Sequence, residues 1–364
     1  MNKLLSITLL LTLALAMSQA SLPAQAQDVP QSAWACPEGF QGQTLRIFNW
    51  STYIAEDTVP NFEALCDVRV EYFEYSSNDE MINIVRANSA QYDLVFPNSN
   101  AITRMIEEEL VQAIDHSKIP NLENIAETFR DRPQDPGMQY SVPYQWGTVG
   151  IGIDTTVIDP AEMQTWEDFF SYAGRVAWLE DQRIMLGIAL GQLGFDANST
   201  TEEEIQAAVD WLLESDNDVY QIAQDNGQDL LAQGEVDAVV EYNGDIFQLI
   251  ADCECEDFAY ITPAGTNLWM DGMAIPYNAP NPDLAHTFID YVLDPVVGAS
   301  ISNYITYGSP NTPALEFIDP TLRDNPGIYP DEAILATTFV LTDTGAAEVL
   351  FNDAWNRLSA SLVD

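Results

Sequence analysis

Basic residues are scarce in this chain: 12 Lys and Arg stand against 57 Asp and Glu, a formal charge of −45 over 364 residues. Phosphate backbones are held by clustered Lys and Arg, so nucleic acid is excluded as a partner and anionic membrane surfaces are poor ones. The same field favours cationic ligands, although such acidity equally suits a salty habitat. There, in ~1 M salt, a Debye length of about 3 Å leaves only short contacts to select a ligand. Histidine is nearly missing. His116 and His286 are the only two, and neither has metal-ligand spacing to a partner, so no metal and no cofactor is expected. There is no G-x-S-x-G and no H-E-x-x-H, which removes the serine hydrolases and zinc proteases that carry those motifs. A carboxylate pair working as acid and base stays open as the enzymatic alternative, because carboxylates are abundant. No internal repeat or low-complexity linker interrupts the chain, and no apolar run is long enough to span a membrane.

The first apolar run, residues 4–17, falls short of a spanning helix. With Lys3 before it and Ala24-Gln25-Ala26 after it, the segment 1–26 reads as a cleavable signal peptide. No cysteine sits at the cleavage point, so a soluble, periplasmic mature protein without a lipid anchor is expected. What remains exceeds what one core usually organises, and 47% hydrophobic residues with eight Trp supply material for two lobes.

Strand and helix signals alternate, which argues for an α/β fold with mostly parallel sheets flanked by helices. Thr44-Leu45-Arg46-Ile47-Phe48-Asn49-Trp50, Val68 to Phe73 and Tyr92 to Phe96 read as strands. The helix between the first two has Val59, Phe62 and Leu65 three residues apart, and the next, capped by Asn78, carries Met81, Ile84 and Val85 inward. Gly147 to Ile153 is a glycine-dotted strand crossing between lobes. Beyond it, helices are predicted over 165–172, 182–193, 201–213 and 219–233, with strands near 236–242 and 258–262. A strand over 269–276 returns to the first lobe, helices over 283–293 and 295–304 pack there, and 330–362 is helical. The lobes expected are 27–147 plus 272–315, and 148–271 plus 316–364.

In open α/β sheets ligands sit beyond the carboxyl ends of strands. The segments placed there share one character. Asn49-Trp50-Ser51-Thr52-Tyr53, Glu241-Tyr242-Asn243-Gly244-Asp245, Trp269-Met270-Asp271 and Tyr304-Ile305-Thr306-Tyr307 offer aromatic faces beside carboxylates and hydroxyls. Such a set suits an amine on a methylene chain: rings cover the apolar part and attract the cation, and a carboxylate takes its N–H groups. For any one of these rings, ordinary core packing is the bland alternative.

Taken together, these segments resemble the periplasmic polyamine-binding proteins, the spermidine/putrescine receptors of ABC transporters. The resemblance runs from about Leu45 to Leu358. It rests on Phe48-Asn49-Trp50-Ser51-Thr52-Tyr53-Ile54, Tyr92-Asp93-Leu94-Val95-Phe96-Pro97, Val142-Pro143-Tyr144-Gln145-Trp146-Gly147-Thr148, Trp269-Met270-Asp271 and Asn325-Pro326-Gly327-Ile328-Tyr329-Pro330. It implies a two-lobed type II binding-protein fold with a closing cleft, a small cationic ligand, a permease partner, a monomer and no catalysis. By the same resemblance Trp50 and Tyr53 match a first aromatic wall and Ser51 a hydroxyl that touches ligand. Tyr242 replaces a Trp, Asp245 and Asp181 match acidic positions, and Asn98 stands where the family has Ser. Trp269 and Asp271 match an aromatic and the carboxylate that takes an amine, and Tyr307 matches a further ring. Two positions depart: Ile184 aligns with a glutamate and Leu341 with a glutamine, which leaves the choice of amine open and points to a shorter or singly charged ligand.

The four cysteines are an even set, as disulfides in an exported protein require. Cys36 lies just before the first strand and Cys66 just before the second. Adjacent parallel strands start side by side, so a Cys36–Cys66 bond is expected, with Cys253–Cys255 as a second candidate.

Overall fold

A computed structural model describes residues 32–362 except 225 and 254, so the expected signal peptide lies outside the described residues. Nine strands form the main sheet: β1 (Thr44–Trp50), β2 (Arg69–Tyr75), β3 (Leu94–Val95), β4 (Ser141–Asp154), β5 (Arg175–Leu179), β6 (Asp218–Ala223), β7 (Ala238–Tyr242), β8 (Phe258–Ile261) and β9 (Leu268–Ala274). Their order is β2-β1-β3-β9-β4-β7-β5-β6, with β8 also on β4. The two wings are parallel. β1 runs parallel to β2 and β3, and β5 to β6 and β7, whereas β4 and β9 meet their neighbours antiparallel.

The long strand β4 is buried along nearly its whole length and changes partners midway. Up to Thr148 it pairs with β9; from Val149 it pairs with β7. The hydrophobic clusters change at the same place. Leu45, Ile47, Val142, Tyr144, Met273 and the helices Pro282–Val292 and Pro295–Ile305 fill one core. Val149, Ile151, Trp178, the helices Gln182–Gln192 and Glu202–Leu213, and Phe351 and Leu358 fill another. Among the described residues no helix is long and apolar enough to cross a membrane.

The Cys36–Cys66 disulfide is formed, with Cα atoms 5.2 Å apart, where Thr44 and Arg69 open β1 and β2 side by side. Cys253 and Cys255 are also bonded to each other.

Several local expectations are corrected. Residues 219–233 are not one helix: β6 takes 218–223 and a short helix takes Gly227–Ala232. Val219, Ile222 and Leu230 fit a helical period, yet the edge of β5 accepts 218–223 as a parallel strand. β5 itself carried no expectation. The stretch 330–362 is helical only at Glu332–Leu335 and Glu348–Leu362, plus one 3₁₀ turn at Gly345–Ala347. Between them the Phe339 N–H donates to the Thr266 carbonyl and the Leu268 N–H donates to the Phe339 carbonyl, so backbone groups needed by a helix are spent on the strand β9 approaches. The helix Asn78–Ala87 is capped by Ser77, whose hydroxyl accepts from Glu80 N, not by Asn78.

Candidate ligand-binding site

The turn after β1, strand β4, the end of β7, the start of β9 and the segment after the helix Pro295–Ile305 bring an unbroken row of rings together. Tyr144 meets Tyr53 at 5.3 Å between centroids, Tyr53 meets Tyr307 at 5.7 Å, Tyr307 meets Trp269 at 4.9 Å, and Trp269 meets Tyr242 at 6.0 Å. All four contacts are edge-to-face, the arrangement that aromatic quadrupoles favour. The row joins the two cores, since Tyr242 and Trp269 pack against both. Two glycines permit it. A Cβ on Gly147 would fall 2.6 Å from the Trp269 ring, and one on Gly244 would fall 2.3 Å from Tyr307. Either side chain would push a ring out of the row.

Asp271 lies beside this row. On β9 it faces Gln145 of β4, and the register shifts between Asp271 and Gly272, where Tyr144 of β4 is the extra residue left without a partner, an irregularity of the kind that bends its own strand and re-aims that strand's side chain. Its backbone also bridges Asn98, and the Gly272 N–H donates to the Pro97 carbonyl at 2.9 Å. Three segments thus fix this carboxyl, which is only 7% exposed. Burial pushes its pKa up to about 7, against the nearby Tyr53 hydroxyl and Arg132 guanidinium, which favour the charged form. The Tyr53 hydroxyl is buried and closes no hydrogen bond of ordinary geometry among the described residues. Burial first, and Asp271 second, raise its pKa. The Trp269 indole N–H is likewise buried without an acceptor among the described residues.

The remaining residues singled out from the sequence fall into two groups. Asp245 joins the site, accepting the Tyr307 hydroxyl at 3.0 Å. Trp50 stacks obliquely on Tyr75 at 4.6 Å and donates its indole N–H to the Phe96 carbonyl; Tyr75 in turn feels the Asp271 charge. Ser51 is exposed in the turn after β1, where Thr52 takes a left-handed φ of 48°. Asn98 and Asp181 each cap a helix through one side-chain oxygen. Asn98 Oδ1 accepts from Ala101 N, and Asp181 Oδ1 accepts from Arg183 N and Ile184 N. Burial raises the Asp181 pKa, opposed by those N–H donors. Ile184 is 3% exposed and belongs to the second core, with Leu341 half-buried at its edge.

Two participants had no place in the expectation. Tyr144 stands in the quoted segment Val142 to Thr148, but it is the extra residue of the β4 irregularity, and strict alternation does not give its direction there. Arg132 gives no sequence signal. It sits on a two-residue hairpin, Asp131–Arg132 against Asp135–Pro136, and its Nη1 donates to Ser99 Oγ at 3.3 Å.

Comparison with known proteins gives one consistent result. The model of the family described as bacterial extracellular solute-binding protein matches residues 57–330. The chain is 30% identical over 320 residues to the spermidine/putrescine-binding periplasmic protein of Escherichia coli, covering 87% of this chain and 92% of that one. It is 32% identical over 336 residues to a putrescine/cadaverine-binding protein of Pseudomonas aeruginosa, covering 87% and 93%. Among solved structures, a spermidine/putrescine ABC transporter substrate-binding protein from Streptococcus pneumoniae superimposes with a TM-score of 0.79 at 28% identity, covering 88% and 100%.

Proposed function

The chain belongs to the bacterial extracellular solute-binding proteins, and from that premise we propose that it is the periplasmic receptor of an ABC uptake system for a small organic cation of the polyamine class, without catalytic activity. The observation that carries this is Asp271: a buried carboxyl on β9 against Tyr53, one of a row of five rings. A desolvated carboxylate flanked by aromatic faces is costly when empty of a counter-charge and well matched to an alkylammonium. Each ring contributes about 0.5–2 kcal/mol to a cation, and a charged hydrogen bond about 1.5–3 kcal/mol. Several such contacts, after ordering costs, reach micromolar affinity, about −8 kcal/mol.

In this reading Trp50, Ser51, Tyr53, Tyr242, Trp269 and Tyr307 surround the ligand, Asp271 anchors it, and Asp245 acts through Tyr307. Asn98 and Asp181 are assigned to the site with their capping roles in place. The lobes are 27–147 plus 272–315 and 148–271 plus 316–364, supported by the partner change of β4 beside Thr148. The receptor acts as a monomer and delivers ligand to a membrane permease. The names of the relatives support the amine class.

A thermal-shift screen of putrescine, cadaverine, spermidine, choline and neutral amino acids tests the proposal. A ligand at 100 times its dissociation constant stabilises by about 2.7 kcal/mol, which reads as a clear rise in Tm. Stabilisation by neutral solutes alone would overturn it.

A further inference from the structure

Arg132 is a cation already inside the cation site. Its hairpin delivers the guanidinium to Ser99 Oγ, which also accepts Gln134 Nε2 at 2.9 Å and donates to the carbonyl of Met270 at 3.0 Å, one residue before Asp271. Among the described residues Arg132 has no carboxylate within ion-pair distance. The neighbouring Asp135 is committed elsewhere: it accepts from the backbone N–H groups of Gln139, Tyr140 and Ser141 and from the Ser141 hydroxyl. The guanidinium also lies at the start of the helix Ser99–Glu107, the end that repels cations. Its compensating charges are therefore Asp135 and Asp271 at longer range, and burial lowers its pKa to about 10 despite both.

We infer that Arg132 is a specificity-determining residue: a resident cation, tethered through Ser99 beside Asp271, with which an incoming ammonium must share that carboxylate. The inference rests on the amine-receptor reading and deepens it. An alkylammonium with one charged end gains the carboxylate and meets the guanidinium once. A triamine places further ammonium charge in the same desolvated space, where like charges repel strongly. The cleft therefore favours ligands with a single or well-separated cationic group over closely charged polyamines. Among the described residues, the titratable groups that feel the Asp271 charge are Tyr53 from the turn after β1, Tyr75 from β2, Tyr144 from β4 and Arg132 from the hairpin. Arg132 is the one cation among them.

The test compares wild type with Arg132→Gln and Arg132→Lys. Calorimetry with butylamine, putrescine and spermidine gives the affinity ratios, and a carboxyl-carbon NMR titration without ligand follows Asp271. Arg132→Gln is expected to raise the spermidine-to-butylamine affinity ratio at least fivefold and to move the Asp271 midpoint to higher pH. Arg132→Lys is expected to keep both near wild type. A ratio unchanged within twofold, with the midpoint also unmoved, overturns the inference. If no amine binds either protein, the amine-receptor reading fails, while the ligand-free titration still reports whether Arg132 acts on Asp271. Should Arg132→Gln not fold, Ser99→Ala releases the guanidinium with its charge intact and is expected to shift both readouts the same way by a smaller amount.

Discussion

Trp269 on β9 and Tyr307 after the helix Pro295–Ile305 meet edge to face at 4.9 Å, and Tyr307 passes the contact on through its hydroxyl to Asp245. Trp269 thus couples three segments far apart in sequence, two residues before Asp271 on β9. Replacing it by Leu keeps apolar volume but removes the quadrupole and the edge contact. Binding of the preferred amine should weaken by roughly 1–2 kcal/mol, and Trp269→Phe should recover most of it. Calorimetry on both variants checks this. Equal affinities of Trp269→Leu and wild type would place the cation away from this ring.

Asp271→Asn keeps the shape and removes the charge. Amine binding should fall by about 1.5–3 kcal/mol, whereas the same change at the exposed Asp79 should do almost nothing. The ligand-free Asn variant should be at least as stable as wild type at pH 8, because ionising a buried carboxyl works against folding. Melting curves beside calorimetry separate the two effects. Loss of binding together with collapse of the fold would show that the carboxyl is structural.

The Cys36–Cys66 bond ties the segment before β1 to the end of the helix Thr58–Cys66, where Asp67 turns left-handed with φ 52°. It closes a loop of sequence separation 30. In the chain-entropy account such a link contributes about 3–4 kcal/mol by restricting the unfolded chain. A Cys36→Ser/Cys66→Ser double variant should therefore lower the denaturant midpoint clearly, while ligand affinity stays within a factor of about two, since the bond sits beside the start of β1 and the rings gather beyond its end. Guanidinium titration with calorimetry on the survivor is the check.

Much of this architecture was legible in the sequence because it is carried by residues with one physical option. Leu45, Ile47 and Leu94 are fully buried on parallel strands, and short apolar-rich runs between turn residues announce such strands. Trp50 and Tyr242 close β1 and β7 and Tyr53 follows in the turn, at the carboxyl ends where α/β folds gather ligands; Trp269 and Asp271 lie inside β9 and come to the same place because β9 runs antiparallel to β3. The failures also have causes. β6 is a half-exposed edge whose Val219 and Ile222, three apart, fit a helical period, and they pack on one core from a strand only because the register skips Tyr220. Ser77 and Asn78 are both competent caps, and only the chain path decides that Ser77 bonds Glu80 N while Asn78 Oδ1 accepts from Asn98 N. Arg132 reaches Ser99 through a hairpin thirty-odd residues away, a contact no local pattern encodes.

The Asp271 carboxyl also sets a pH dependence whose sign is fixed by the direction of its shift. Its pKa is about 7 in the ligand-free fold against an ordinary 3.8, so the folded protein holds a proton that the unfolded chain has already lost. This group's contribution to ligand-free stability is therefore complete below about pH 4 and is lost as pH rises through about 7. Binding runs the other way. An alkylammonium keeps its proton far above this range and needs Asp271 ionised, so each pH unit below about 7 should weaken binding by up to tenfold, about 1.4 kcal/mol. Near pH 7 binding should release about half a proton, and near pH 9 almost none. Calorimetry in paired buffers of different ionisation enthalpy measures both the affinity and the proton count. Affinity that stays flat from pH 8 to pH 5.5, with no proton released, would mean that the amine is not anchored by Asp271.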